Sequence, residues 1–154
     1  MALLDTNARP DSAQASEGRG SAIAQSETDF EAVLAGMVAK LFHPSRVDDK
    51  PLVDLFKSMA RDVGREGFVR QQQAIIARVD SRPTLTQIRC PTLVLCGRDD
   101  TLTPVELHEE MAAGIAGAQL VVLDDCAHMS PLERPADVSR ALRAWLARIE
   151  GPAR

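Results

Sequence analysis

The sequence predicts an α/β fold built on a short parallel sheet with flanking helices, joined to a separate group of helices. Two apolar runs, Thr92-Leu93-Val94-Leu95 and Leu120-Val121-Val122-Leu123, are short and uninterrupted, as strands buried on both faces are. Each leads through a polar loop into a segment of helical periodicity, so the second half of the chain reads strand, helix, strand, helix. Upstream, apolar residues between Asp29 and Asp80 recur at spacings of three and four.

In chain order, Ala2-Leu3-Leu4-Asp5-Thr6 is a short apolar run ending in polar turn residues. Asn7 to Thr28 is polar and rich in Ser, Ala and Gln, and is read as a loop that includes Ser21. Phe30, Val33, Leu34, Met37, Val38 and Leu41 set the face of one helix, and Leu52, Leu55, Phe56 and Met59 that of another. Pro44, Pro51 and Gly64 divide the stretch into helices of Asp29 to Phe42, Pro51 to Val63 and Arg65 to Arg78. Phe42, His43, Phe56, Met59 and Phe68 read as ordinary core or helix-end residues, and Gln71-Gln72-Gln73 as an exposed helix face. After the break at Ser81-Arg82-Pro83 and the first strand, Pro104 to Ile115 forms a helix, with Thr103 as N-cap, Glu106 completing a capping box and Gly117 as the stop. The second strand leads to a last helix, Pro135 to Ile149, carrying Val138, Leu142, Trp145 and Leu146 toward the sheet.

Chemistry concentrates after the two strands. Cys96-Gly97-Arg98-Asp99-Asp100 follows the first, and Asp125-Cys126-Ala127-His128-Met129-Ser130-Pro131-Leu132-Glu133 follows the second. Loops at the carboxyl ends of parallel strands are where open α/β sheets bind ligands. A serine hydroxyl needs a histidine to take its proton, and a carboxylate to fix the imidazole tautomer and stabilise the imidazolium. Asp100 and His128 are the candidate acid and base. Asp100 has a competing use as an Asx-type turn or N-cap, but Thr103 is the better cap. Glu133 is expected to supply a favourable charge at a helix start in preference to orienting the histidine loop.

From Ile88 to Leu146 the chain resembles the carboxyl-terminal part of an α/β-hydrolase. The resemblance rests on Pro91-Thr92-Leu93-Val94-Leu95, the pattern Gly-x-x-Asp-x-x-Thr-Pro from Gly97 to Pro104, the histidine turn and the closing helix with Trp145. It implies a partial α/β-hydrolase fold plus a helical cap. Residues 1–7 would be a remnant of the sixth core strand, 8–83 linker and helical cap, 84–150 the carboxyl-terminal core and 151–154 a tail. It also selects Asp100 over Asp99 as the acid, with His128 as the histidine, in the order nucleophile, acid, histidine.

The nucleophile has no counterpart. Gly-x-Ser-x-Gly does not occur, and Gly18-Arg19-Gly20-Ser21 has misplaced glycines and no preceding strand. Cys126 is close to His128 in the chain, but near neighbours in a tight turn point apart. The resemblance therefore implies a serine hydrolase acting on an ester, lactone or similar acyl bond, expected to be inactive as this chain alone. The alternative is a non-catalytic binding or assembly module that retains two residues of the triad. Since other members of the fold use an aspartate nucleophile or no triad, the resemblance also leaves dehalogenase-like or lyase chemistry open.

Composition suits a soluble globular domain and does not decide function. The chain has 154 residues, 45% of them hydrophobic, and 18 Lys and Arg against 22 Asp and Glu give a net charge of -4, with no basic surplus for nucleic acid. A small-molecule substrate is the expected partner. The three cysteines have no metal-type spacing and read as free thiols in a reducing, cytoplasmic setting. No metal or cofactor is expected, and no basic-then-apolar leader suggests a membrane or secretory route. An unpaired strand at the sheet edge is expected to make the chain a homodimer, a swapped oligomer or aggregation-prone, unless residues Ala8 to Thr28 fold back over that edge.

Overall fold

The elements run β1 (Ala2–Leu4), α1 (Ala13–Thr28), α2 (Phe30–Leu41), a 3-10 turn at Pro44–Arg46, α3 (Lys50–Ile76), α4 (Arg82–Leu85), β2 (Leu93–Gly97), α5 (Val105–Gly114), β3 (Gln119–Leu123), α6 (Ser130–Glu133) and α7 (Pro135–Glu150). This computed structural model describes residues 1–150, and the tail assigned to 151–154 lies outside the described residues. Two compact units result: one holds Met1–Ala8, Leu41–His43 and residues 82–150, the other Arg9–Lys40 and Pro44–Ser81. Among the described residues, no helix is long and apolar enough to cross a membrane.

The first unit contains a three-stranded parallel sheet in the order β1-β2-β3. Leu4 lies beside Leu95, and Leu95 beside Val121, so all three carboxyl ends share one edge of the sheet. Leu93, Val94 and Leu95 of the central strand are each 0% exposed because both faces are covered. Val94 packs in a cluster with Leu85, Met111 and Ile115, supported by Leu3 and Leu120. Leu93 and Leu95 pack on the other face with Val138, Leu142 and Trp145. Two covered faces are why the strand reads as a continuous apolar run instead of an alternating one.

The second unit is helical, and its largest difference from the sequence expectation is α1. Residues read as a loop form a sixteen-residue helix, with Ser21 on its exposed surface donating its hydroxyl to the Glu17 carbonyl. An apolar stripe is missing from α1, so periodicity gave no sign of it. It is held by polar contacts: Ser12 Oγ caps the Ala15 N–H at 3.1 Å, and Arg19 reaches Asp11 at 2.6 Å and Gln72 at 2.8 Å. Gln72 is therefore buried, whereas Gln71 and Gln73 are exposed. α3 is two helices in geometry, broken at Gly64, whose φ of 72° and ψ of 168° require glycine. Phe56 and Phe68 are buried, the Phe68 ring 5.7 Å from that of Phe30, while Met59 is exposed.

Two details of the sheet-bearing unit also differ from expectation. Leu146 faces solvent, since Val138, Leu142 and Trp145 already fill the width of the stripe against the sheet. The N-cap position of α5 is Pro104, and no side chain caps that helix, because Thr103 is engaged elsewhere.

The double burial of β2 sets the first expectation. Leu95→Ala should lower the unfolding free energy by about 3 kcal/mol, and Leu102→Ala at an exposed position by less than about 0.5 kcal/mol, both measured by urea denaturation. Equal losses would contradict the packing described.

Candidate active site

Three loops leave the carboxyl edge of the sheet: one carries Asp5 after β1, one Asp99 and Asp100 after β2, and one Cys126 to His128 after β3. Gly97 lets the last two meet. A Cβ there would stand 2.2 Å from the Cys126 carbonyl oxygen and 2.4 Å from that of Ala127, a backbone clash that only glycine avoids. The approach is held by Arg98 N–H donating to Leu123 O at 2.8 Å and Asp99 N–H donating to Cys126 O at 2.9 Å.

Asp100 is buried and fully engaged. Its Oδ1 accepts the N–H groups of Leu102 at 2.8 Å and Thr103 at 2.9 Å, forming an Asx-type turn. Its Oδ2 accepts the Thr103 hydroxyl at 2.6 Å and faces His128 Nδ1 at 2.8 Å. The turn and the histidine contact do not compete, because each uses a different oxygen. Burial pushes the Asp100 carboxyl up, but the hydrogen bonds from His128 and Thr103 outweigh it and hold it below the ordinary carboxylate value. An ionised carboxylate only accepts, so Nδ1 carries the proton and donates it, leaving Nε2 as the nitrogen able to exchange one. Asp99 turns away, its Oδ2 standing 3.7 Å from His43 Nε2.

The histidine loop is anchored on each side. Glu133 is buried, and its carboxylate accepts Ala127 N–H at 2.9 Å and His43 N–H at 2.7 Å, while His128 N–H donates to Leu41 O at 3.0 Å. Glu133 thus orients the loop and ends α6, correcting the helix-start role expected from sequence: a buried carboxylate needs donors, and two backbone amides supply them. Beyond His128, the Ser130 N–H at 3.1 Å and its hydroxyl at 2.6 Å both donate to Asp5 Oδ2. Asp5 and Ser130 were not singled out from sequence. Asp5 nevertheless carried the signal used for Asp100, an acid directly after a buried apolar run.

The other candidates are closed off. Burial pushes the Cys126 and Cys96 thiols up to about 12, so neither is a thiolate nucleophile at neutral pH. His108 is 0% exposed, its Nε2 accepting Thr6 N–H at 3.0 Å, and burial lowers its pKa, so it is a neutral structural imidazole.

Residues 3–141 match the model of the alpha/beta hydrolase family. A 2-hydroxy-6-oxononadienedioate/2-hydroxy-6-oxononatrienedioate hydrolase from Paraburkholderia xenovorans is 31% identical over 101 residues, 65% of this chain and 35% of that protein. A thermophilic esterase from Thermogutta terrifontis superposes with a TM-score of 0.89 at 32% identity, over 97% of this chain and 56% of that one. The enol-lactonase from Burkholderia xenovorans gives a TM-score of 0.82 at 28% identity, over 95% of this chain and 55% of that one. The chain thus spans about a third of the curated relative and just over half of each solved chain.

Asp5 gives the site a pH signature. Burial, only partly offset by the Ser130 hydrogen bonds, pushes its carboxyl from 3.8 up to about 6, so the folded chain holds this proton more tightly than the unfolded one. The associated stability is complete below pH 3.8 and is lost as the pH rises through about 6. Asp100 is shifted the opposite way, and its contribution is lost only as the pH falls through its lowered value, below 3.8. Relative to Asp5→Asn, the wild-type chain should gain on the order of 2 kcal/mol in unfolding free energy between pH 7 and pH 4. Urea titrations at the two pH values measure it, and a constant difference would refute the shift.

Proposed function

The chain belongs to the alpha/beta hydrolase family, and from that premise we propose that it serves a serine hydrolase cleaving an ester, lactone or comparable acyl bond, with Asp100 as the acid and His128 as the proton-transferring base. The observation that carries the reading is the 2.8 Å contact between His128 Nδ1 and Asp100 Oδ2, with the carboxylate kept ionised. Nε2 would take the proton of a serine hydroxyl as it attacks the acyl carbon, then return it to the leaving group, and a water molecule would repeat the cycle on the acyl-enzyme. Similarity to an esterase and an enol-lactonase supports an acyl substrate. We assign residues 8–83 to the linker and cap and residues 84–150 to the core, with the cap setting substrate choice.

No Gly-x-Ser-x-Gly segment occurs in the chain. The reading therefore assigns the nucleophile to none of these residues, and the 154-residue chain should hydrolyse a short activated ester no faster than its His128→Ala variant. Coding DNA upstream of Met1 should encode an in-frame Gly-x-Ser-x-Gly, and in that longer protein His128→Ala should lower kcat by about 10⁶-fold. A longer protein whose turnover ignores His128→Ala would overturn the proposal.

In the 154-residue chain taken by itself, the same reading leaves the edge strand β1 to recruit another chain. Size-exclusion chromatography with light scattering should find a dimer or larger species, and a monodisperse monomer would count against it.

A further inference from the structure

Asp5 and Ser130 lie 125 positions apart in sequence, yet one carboxylate oxygen of Asp5 takes both donors of Ser130, which is itself 0% exposed and two residues past His128. The position is built at a cost. Asp5 has a φ of 47°, left-handed backbone that a non-glycine residue enters only when its surroundings over-determine it. Its N–H continues the parallel ladder by donating to Leu95 O at 3.0 Å. Its other oxygen, Oδ1, is buried with no hydrogen-bond partner. An asparagine would accept from Ser130 equally well, so the tie alone does not require an acid. What the acid adds is a charge within electrostatic reach of His128.

We propose that Asp5 is a positioning residue of the histidine loop: by gripping Ser130 it fixes the segment after His128 and so holds the imidazole in line with Asp100. The other anchors act earlier in the loop, Glu133 on Ala127 and Leu41 on the His128 backbone. The Asp5 grip restrains the stretch from Met129 into α6 from the side of β1. The titratable groups around the Asp5 carboxyl are His128, Asp100, Cys96 and Cys126, and both thiols stay protonated at neutral pH. Asp5 therefore titrates against a site whose other acid is already ionised. That the device serves catalysis rests on His128 being the proton-transferring residue; the grip itself does not.

The test is nuclear magnetic resonance on the 154-residue chain, which needs no turnover. In the wild type the His128 Nδ1 proton should give a downfield signal protected by Asp100. Asp5→Ala and Ser130→Ala should each raise its exchange with water by about tenfold or broaden it away, while Asp5→Asn, which can still accept from Ser130, should retain it. The Ser130 amide proton should follow the Asp5 carboxyl through a step near pH 6 that is absent in Asp5→Asn. An Nδ1 signal unchanged in Ser130→Ala would overturn the proposal. Should Asp5→Ala not fold, the Ser130→Ala signal still decides it. Asp100→Asn should abolish the Nδ1 signal in any case. If His128→Ala leaves a longer protein fully active, the catalytic reading fails while the grip stands or falls on these spectra.

Discussion

Everything at the carboxyl edge of the sheet depends on how closely β2 ends against the loop that follows β3. Gly97 permits that approach, and the bonds from Arg98 and Asp99 to Leu123 and Cys126 lock it. A side chain at position 97 would push the strand end and the loop apart, and Asp100 would no longer meet His128 at 2.8 Å. Behind this contact stands the burial of Leu93, Val94 and Leu95 between two apolar clusters. A strand packed on both faces has no freedom to slide, since a shift of one residue would exchange every side chain between the clusters.

Two carboxyl groups flank one imidazole, and their environments drive them in opposite directions. Asp100 has donors on both oxygens and stays ionised despite its burial. Asp5 has donors on one oxygen only, leaves the other buried and unpaired, and binds its proton up to about pH 6. Burial raises both carboxyls, and the hydrogen bonds offset it fully at Asp100 but only in part at Asp5. One acid lies after β1 and the other after β2, so their convergence on a loop after β3 is a product of parallel topology.

Glu133 shows the same economy in a supporting part. A single buried carboxylate accepts the backbone amides of Ala127 and His43, tying the histidine loop to the short segment Leu41–His43 of the same unit. Threonine at position 103 gives up its expected capping role for the same reason: its hydroxyl is worth more on a buried carboxylate than on a helix end whose amides reach solvent.

The sequence by itself determined the strands, the parallel rhythm and the break at Gly64, because each leaves a local mark: a continuous apolar run, a helical period, a glycine. The choice of Asp100 over Asp99 rests on the resemblance to the α/β-hydrolase pattern, and the 2.8 Å contact with His128 agrees with it. α1 left no such mark, being held by Ser12, Arg19 and Gln72 instead of an apolar face. The tertiary structure alone decided which oxygen of which acid meets which donor. Asp5 with Ser130, Glu133 with Ala127 and His43, and Thr103 with Asp100 are hydrogen bonds whose partners are chosen by the packing of the sheet and its loops. A hydrogen bond reads distance and angle over a few tenths of an ångström, and periodicity along a chain carries neither.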